Sequence, residues 1–209
     1  IANKFFKAKI YEFALEAYQL AKKESNIASY SIQIANIYSY LGEIDKMYDE
    51  LIFLLYTHPN YFQTCKNKLR ITISDDDENE NNKKLKKALI KSIQKNNSYE
   101  VSKTLVWLFM QEKKFQDALD YEISIDKRIS DNTLDIINLG DIAFQNQDYK
   151  TAINCFEYIL KTNPKTSYYY EYCKLQLLDI KFKTAQKNKV VNISEIQKIA
   201  GLYKAALND

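Results

Sequence analysis

Residues 115–119 read Phe-Gln-Asp-Ala-Leu, and residues 149–153 read Tyr-Lys-Thr-Ala-Ile. When the two segments are superposed, Ala118 and Ala152 take equivalent positions, 34 residues apart. A fixed period of this length indicates a repeat in which each copy is one pair of helices. The segment therefore predicts an architecture built from stacked helical hairpins.

Another copy of this pattern lies upstream, in residues 28–59. Residues 34–35, Ile-Ala, take the place of residues 139–140, Leu-Gly, and Pro59 takes the place of Pro164. Small residues allow two helices to cross closely. A proline fits just after a helix has ended, where no further ladder hydrogen bond is needed.

The composition agrees with a helical chain. Of the 209 residues only 3 are Gly and 2 are Pro, whereas β-rich folds need many turns and therefore many such residues. The formal net charge of +3 gives no strong attraction to nucleic acid or to an anionic membrane. The longest apolar run, residues 51–56, is much shorter than the roughly 20 residues of a membrane span.

We predict an all-α fold, an α-solenoid of antiparallel helical hairpins in one domain covering residues 1–209. About six units should form a right-handed superhelix. The units are predicted at about 1–26, 28–59, 61–97, 99–131, 133–165 and 166–209. The helices are predicted at 1–9, 11–24, 28–41, 44–57, 61–73, 83–96, 99–111, 115–128, 133–145, 149–161, 166–184 and 193–207. Expected N-caps are Ser98, Ser130 or Asp131, and Ser194.

An acidic loop, residues 74–82, interrupts the third unit and is expected to be mobile and dispensable. Asp75, Asp77 and Asn79 have the spacing that opens an EF-hand calcium loop. However, Glu80 stands where the sharp turn needs Gly, and Lys86 stands where a bidentate Glu belongs. We therefore expect no calcium site.

A run of lysines follows this loop, at positions 83, 84, 86, 87, 91 and 95. It surrounds an apolar stripe formed by Leu85, Leu89 and Ile93. Nucleic-acid binding usually needs a broader basic face with stacking aromatic residues. We therefore expect a solvated helix face and no nucleic-acid partner.

No pattern of catalytic residues was found. The single histidine, His58, lies beside a proline, and Cys65, Cys155 and Cys173 form neither a CxxC pair nor a Cys/His cluster. Buried free cysteines commonly behave as small apolar residues. We therefore expect no enzyme activity, no metal site and no cofactor. Among the tyrosines of residues 168–172, at least one ring should reach the surface, because consecutive helical positions cannot all face the core.

The hairpin motifs resemble the tetratricopeptide repeat, with Ala and a large apolar residue in the second helix and Pro at the end. A narrower resemblance is to the middle segment of large, signal-peptide-bearing tetratricopeptide proteins of Bacteroidota. The segments that carry it are residues 41–47, 85–96, 105–111 and 126–128. It implies an extracytoplasmic scaffold in the cell envelope, periplasmic or associated with the outer membrane; a cytoplasmic location is the alternative.

In tetratricopeptide domains the first helix of each hairpin lines the concave face, where a protein or peptide partner binds. By this register the face takes Ile32, Asn36, Tyr40, Lys103, Trp107, Met110, Ile137, Asp141, Phe144, Glu171, Leu175 and Leu178. Ile32 stands where chaperone-binding members carry a clamping Lys, so we expect no chaperone-tail binding. The groove could equally be filled by a neighbouring part of the same chain.

Two functional hypotheses follow from this sequence. The first is a non-catalytic protein–protein interaction scaffold, as part of a longer chain, since the chain opens at Ile1 inside a helical pattern. The second is a structural spacer within a larger repeat array, with no ligand of its own. A large concave surface is the usual product of stacked hairpins and favours the first.

Overall fold

A computed structural model of the chain describes residues 1–25, 27–129 and 132–187, together with the single residues 197 and 201. The chain divides into two compact units, Ile1–Lys113 and Lys114–Asp209, which we call unit 1 and unit 2. In the described ranges the structure is helical and contains no β-strand. None of the helices described in these ranges is long and apolar enough to cross a membrane.

The described residues of unit 1 form seven α-helices and a short 3₁₀ turn, Pro59–Tyr61. The helices are α1 Ala2–Lys7, α2 Tyr11–Glu24, α3 Ala28–Tyr40, α4 Ile44–Thr57, α5 Phe62–Arg70, α6 Glu80–Asn96 and α7 Tyr99–Gln111. Each of α1 to α4 packs against the next helix along the chain, as expected of consecutive hairpins. Beyond this point α4 packs against α5, α6 and α7, and α6 packs against α7.

The described part of unit 2 contains four helices in the same consecutive arrangement. They are α8 Phe115–Ile129, α9 Thr133–Gln145, α10 Tyr149–Thr162 and α11 Tyr168–Lys187. Neighbouring helices pack in sequence order, and α10 also contacts α8, as α11 also contacts α9. Within each unit, the predicted all-α array of helical hairpins is confirmed.

One tight turn recurs inside the hairpins. After α3, the Gly42 amide donates to Ser39 O (3.2 Å) and the Glu43 amide donates to Tyr38 O (2.9 Å). After α9, the same two bonds run from Gln147 to Phe144 O (3.0 Å) and from Asp148 to Ala143 O (2.9 Å). These bonds satisfy carbonyls that the helix end leaves without partners. Gly42 has a φ of 74°, the left-handed region that glycine enters without steric cost.

The small residues of the repeat lie where helices approach closely. Ala118 and Ala152 are fully buried. A Cβ placed on Gly140, in α9, would stand 2.7 Å from Cε1 of Phe156 and 3.0 Å from Cβ of Cys155, both in α10. Only a residue without a side chain allows this approach without a shift of the ring.

The observed helix boundaries follow the predicted ones closely in most of the chain. Ser98 caps α7 as predicted, since its Oγ accepts a bond from the Val101 amide (3.5 Å). The predicted caps Ser130, Asp131 and Ser194 and the predicted helix 193–207 lie outside the described residues, apart from the single positions 197 and 201.

The largest difference concerns the acidic loop. Residues 80–82 belong to α6, because the Asn79 side chain accepts bonds from the Asn81 amide (2.9 Å) and the Asn82 amide (3.3 Å). Asn82 is fully buried. Its side-chain Nδ2 donates to Ser74 O (2.9 Å) and Asp76 O (3.2 Å), and its side-chain Oδ1 accepts from the backbone amide of Ser74 (3.1 Å). Asn82 therefore holds the loop backbone, and the dispensability of residues 74–82 stays a prediction.

The same asparagine also donates a hydrogen bond to Glu112, the residue that follows α7. Glu112 forms an ion pair with Lys86. Glu112 has no exposed side-chain surface, and it accepts from Lys86 Nζ (2.8 Å) and Asn82 Nδ2 (3.2 Å). Burying a carboxylate is costly unless it is paired and hydrogen-bonded. Lys86 and Asn82 together meet that requirement for Glu112.

Candidate functional site

The predicted partner-binding residues lie on four helices: α3, α7, α9 and α11. In unit 2, Ile137 and Leu178 are only 5% and 6% exposed, so they pack inside the unit rather than forming a contact surface. The residues in unit 1 are more accessible. Tyr40 is 64% exposed, and Trp107 is partly buried rather than enclosed.

A small cleft of about 160 Å³ opens beside Tyr40 in unit 1. Asn36 and Tyr40 of α3 line one side of it, and Lys68 of α5 lines another. Ile71, just after α5, is 80% exposed and also borders the cleft. The cleft thus connects α3 with the segment that begins at α5.

Lys66 connects α5 with α7. Its Nζ lies 5.5 Å from the centre of the Trp107 ring and 5.3 Å from that of Phe62. Burial lowers the pKa of Lys66, and the nearby charges of Lys103 and Arg70 lower it further. Lys66 contacts Trp107 of α7, and Lys68 borders the same cleft as Tyr40 of α3, so α5 contacts both helices. We call the surface of these three helices that carries the four side chains the α3–α5–α7 face.

This face carries three cations that have no carboxylate partner among the described residues. In the described part of the chain, none of Lys66, Lys68 and Arg70 has a carboxylate within 4.0 Å. The sequence prediction missed all three, because it drew no face residues from the irregular third repeat, predicted at residues 61–97. Their signal was present in α5 as three basic residues that alternate with other residues around Cys65 and Leu69, which are both fully buried.

The predicted residues of unit 2 are held by internal contacts. Tyr172 donates a hydrogen bond to Asp141 Oδ2 (2.9 Å). Burial raises the pKa of Asp141 while this bond lowers it, and burial together with the bond raises the pKa of Tyr172 to about 12. Lys183 lies 4.3 Å from the centre of the Phe144 ring. These contacts join α9 to α11.

The remaining predicted residues lie on α3 and α7 in unit 1 and on α11 in unit 2. In unit 1, Ile32, Lys103 and Met110 are half-buried on α3 and α7. In unit 2, Leu175 is half-buried, and Glu171 pairs with Lys174 (3.5 Å) along α11. Of the neighbouring tyrosines, Tyr168 is 77% exposed, which confirms that one ring of that cluster reaches the surface.

His58 and the three cysteines are the residues that the sequence singles out for catalytic potential. His58 Nδ1 lies 2.9 Å from Thr57 Oγ1, and its ring stands edge-on to Tyr61. Among the described residues no group of three His, Cys, Asp or Glu side chains could hold a metal ion. All three cysteines are buried, and burial raises the pKa of Cys65 and Cys173 to about 12 and raises that of Cys155 as well.

We expect all three thiols to resist an aromatic disulfide reagent at about pH 8, because the thiolate is the reactive species and burial suppresses it. Unfolding in guanidinium should release three reactive thiols per chain. Absorbance of the released thiol measures the reaction. Rapid labelling of even one cysteine in the folded protein would contradict the buried positions.

The geometry can be compared with known proteins. No protein-family model matches the chain. No curated protein matches it either. Solved structures similar to the chain include tetratricopeptide proteins.

YrrB, described as having an unusual peptide-binding site, is 15% identical with a TM-score of 0.38, over 79% of this chain and 84% of its own. A tetratricopeptide protein from Parabacteroides merdae is 16% identical with a TM-score of 0.36, over 96% of this chain and 80% of its own. The TPR2AB domain of yeast Sti1, solved in complex with pHSP90, is 16% identical with a TM-score of 0.32. The match covers 98% of this chain and 95% of the Sti1 chain. The fold assignment rests on the helical hairpins themselves.

Proposed function

We propose that this chain is a non-catalytic scaffold that binds a protein or peptide partner on the α3–α5–α7 face. The observation that carries this proposal is the partly exposed Trp107 ring, 5.5 Å from Lys66, on a face that also bears the cleft beside Tyr40. Tryptophan, tyrosine and arginine are the residues that most often dominate protein interfaces. Trp107, Tyr40 and Arg70 lie on the three neighbouring helices of this face.

The size of the cleft supports a peptide or protein rather than a small molecule. Small-molecule sites usually enclose about 300–1,000 Å³. At about 160 Å³ the cleft beside Tyr40 is smaller, and it suits one side chain of a partner. Lys66, Lys68 and Arg70 would then lie beside the bound segment, where an acidic group would relieve their mutual repulsion.

We expect Trp107→Ala to weaken partner binding by about 2 kcal/mol or more, roughly 30-fold in Kd, because buried aromatic anchors carry a large share of interface energy. The immobilised wild-type chain would first capture partners, and each identified partner would be titrated against the variant by calorimetry. Far-UV circular dichroism should show that the variant keeps most of its helicity.

Phe13→Ala provides the matched control, since Phe13 is a 59% exposed aromatic residue of unit 1 on α2, outside the proposed face. It should bind the partner as the wild type does. Equal binding by wild type and Trp107→Ala would contradict the proposed face. Absence of any saturable partner would favour a structural spacer instead.

A further inference from the structure

A second surface of unit 1 lies between α4 and α6, and the proposed function does not use it. It is a groove of about 220 Å³, which we call the α4–α6 groove. Asp49, Phe53 and Tyr56 line its α4 side, and Ala88, Lys91 and Lys95 line its α6 side. A neighbouring depression of about 430 Å³ shares Asp49, Ala88 and Lys91 and extends the groove along α6 to Lys87.

The α4 side of this groove is aromatic and accessible. Phe53 and Tyr56 are 46% and 47% exposed and lie three residues apart, so both rings stand on the same side of the helix. Lys22 of α2 lies 4.2 Å from the centre of the Phe53 ring and pairs with Glu50. The Phe53 ring is therefore held in place, ready to contact an apolar side chain from outside.

The α6 side carries a row of lysines without carboxylate partners. Three lysines of this helix are paired: Lys83 with Glu78 and Glu80, Lys84 with Asp45, and Lys86 with Glu112. The other three have no carboxylate within 4.0 Å among the described residues: Lys87, Lys91 and Lys95. These three positions are four residues apart, so their charges repeat about every 6 Å along one side of α6.

We propose that the α4–α6 groove binds an acidic amphipathic helix of a protein partner. A helix with Glu or Asp at every fourth position presents carboxylates at the same spacing of about 6 Å, so successive carboxylates can face Lys87, Lys91 and Lys95 in register. An apolar side chain between these carboxylates packs on Phe53 and Tyr56. Complementary charge steers and orients the helix, and the aromatic contact retains it.

The opposite side of the groove argues against nucleic acid as the occupant. Asp49 of α4 lines both depressions and would repel closely spaced phosphates. A membrane surface is flat, whereas the three lysines border a recess. A helix can turn its carboxylates toward α6 and its uncharged side toward α4, which neither of the other occupants can do.

The test uses the full chain and a fluorescein-labelled synthetic helical peptide with Glu at every fourth position beside Leu. Fluorescence anisotropy at low and at physiological salt should show saturable binding that weakens as salt rises. The double variant Lys91→Glu/Lys95→Glu should bind at least about tenfold more weakly, since opposed charges become like charges. Tyr56→Ala should weaken binding several-fold, and Trp107→Ala should leave it unchanged, which separates this site from the α3–α5–α7 face.

Lys127→Glu/Lys181→Glu is the matched control, because it makes the same charge change at two exposed lysines of unit 2. This control should bind as the wild type does. The milder Lys91→Gln/Lys95→Gln variant repeats the test should the Glu variant lose helicity. The proposal is overturned if the peptide with Gln in place of Glu binds equally well, if the control loses as much affinity, or if no peptide binds. Tighter groove-dependent binding of oligothymidine or of phosphatidylserine vesicles would also overturn it.

Discussion

Lys86→Met is expected to destabilise unit 1 by about 3 kcal/mol, because it leaves a buried carboxylate without its cation. Methionine keeps the apolar stem of the lysine, so the change removes charge rather than packing. Glu112 has no exposed side-chain surface, and only Asn82 would remain as a hydrogen-bond partner among the bonds described above. Urea unfolding followed by the fluorescence of Trp107, the single Trp of the chain, measures the change.

Lys83→Met on the same helix is the control. Lys83 pairs with Glu78 and Glu80 in solvent, with 44% of its own side chain exposed, and exposed pairs contribute little to stability. The urea midpoint of this variant should match the wild type. If the two variants unfolded at the same midpoint, the buried Glu112 pair would not have the role assigned to it.

Phe156→Ala is expected to destabilise unit 2 by roughly 3–5 kcal/mol, because a fully buried ring is lost and a cavity remains. Phe156 lies opposite Gly140 at the close approach of α9 and α10. Urea unfolding followed by far-UV circular dichroism measures the loss. A change below about 1 kcal/mol would show that the ring is not packed as described.

A double-mutant cycle isolates the contact between the two residues. In the wild-type background Gly140→Ala should cost about 1–3 kcal/mol, since the added Cβ meets the Phe156 ring at 2.7 Å. In the Phe156→Ala background the same substitution should be close to neutral. The ring is gone, and the preference of Ala over Gly in a helix, about 1 kcal/mol, offsets the remaining 3.0 Å approach to Cβ of Cys155. Additive effects would contradict this helix crossing.

The sequence predicted the hairpins best where the repeat period is regular. Ala118 and Ala152 are 34 residues apart, and both are fully buried where small residues were expected. The approach at Gly140 follows from the same period. These positions were predictable because close helix packing restricts residue size at each repeat.

The surfaces were harder to predict than the hairpins. Ile137 was assigned to a partner-facing side, but α9 packs against α8, α10 and α11, so more than one side of that helix is buried. Lys66 and Lys68 were missed because the third predicted repeat, residues 61–97, departs from the regular pattern. The polar residues of the acidic loop suggested mobility, whereas the burial of Asn82 depends on contacts with the distant Glu112.

Trp107 also allows the most direct test of the proposed function. A partner identified by capture would be added to the wild-type chain while the emission of this single tryptophan is followed. We predict a saturable shift of the emission with the same midpoint as binding measured by anisotropy of the labelled partner, because the indole leaves water on binding. Saturable binding that leaves the emission of Trp107 unchanged, with full affinity retained by Trp107→Ala, would contradict the α3–α5–α7 face as the binding site.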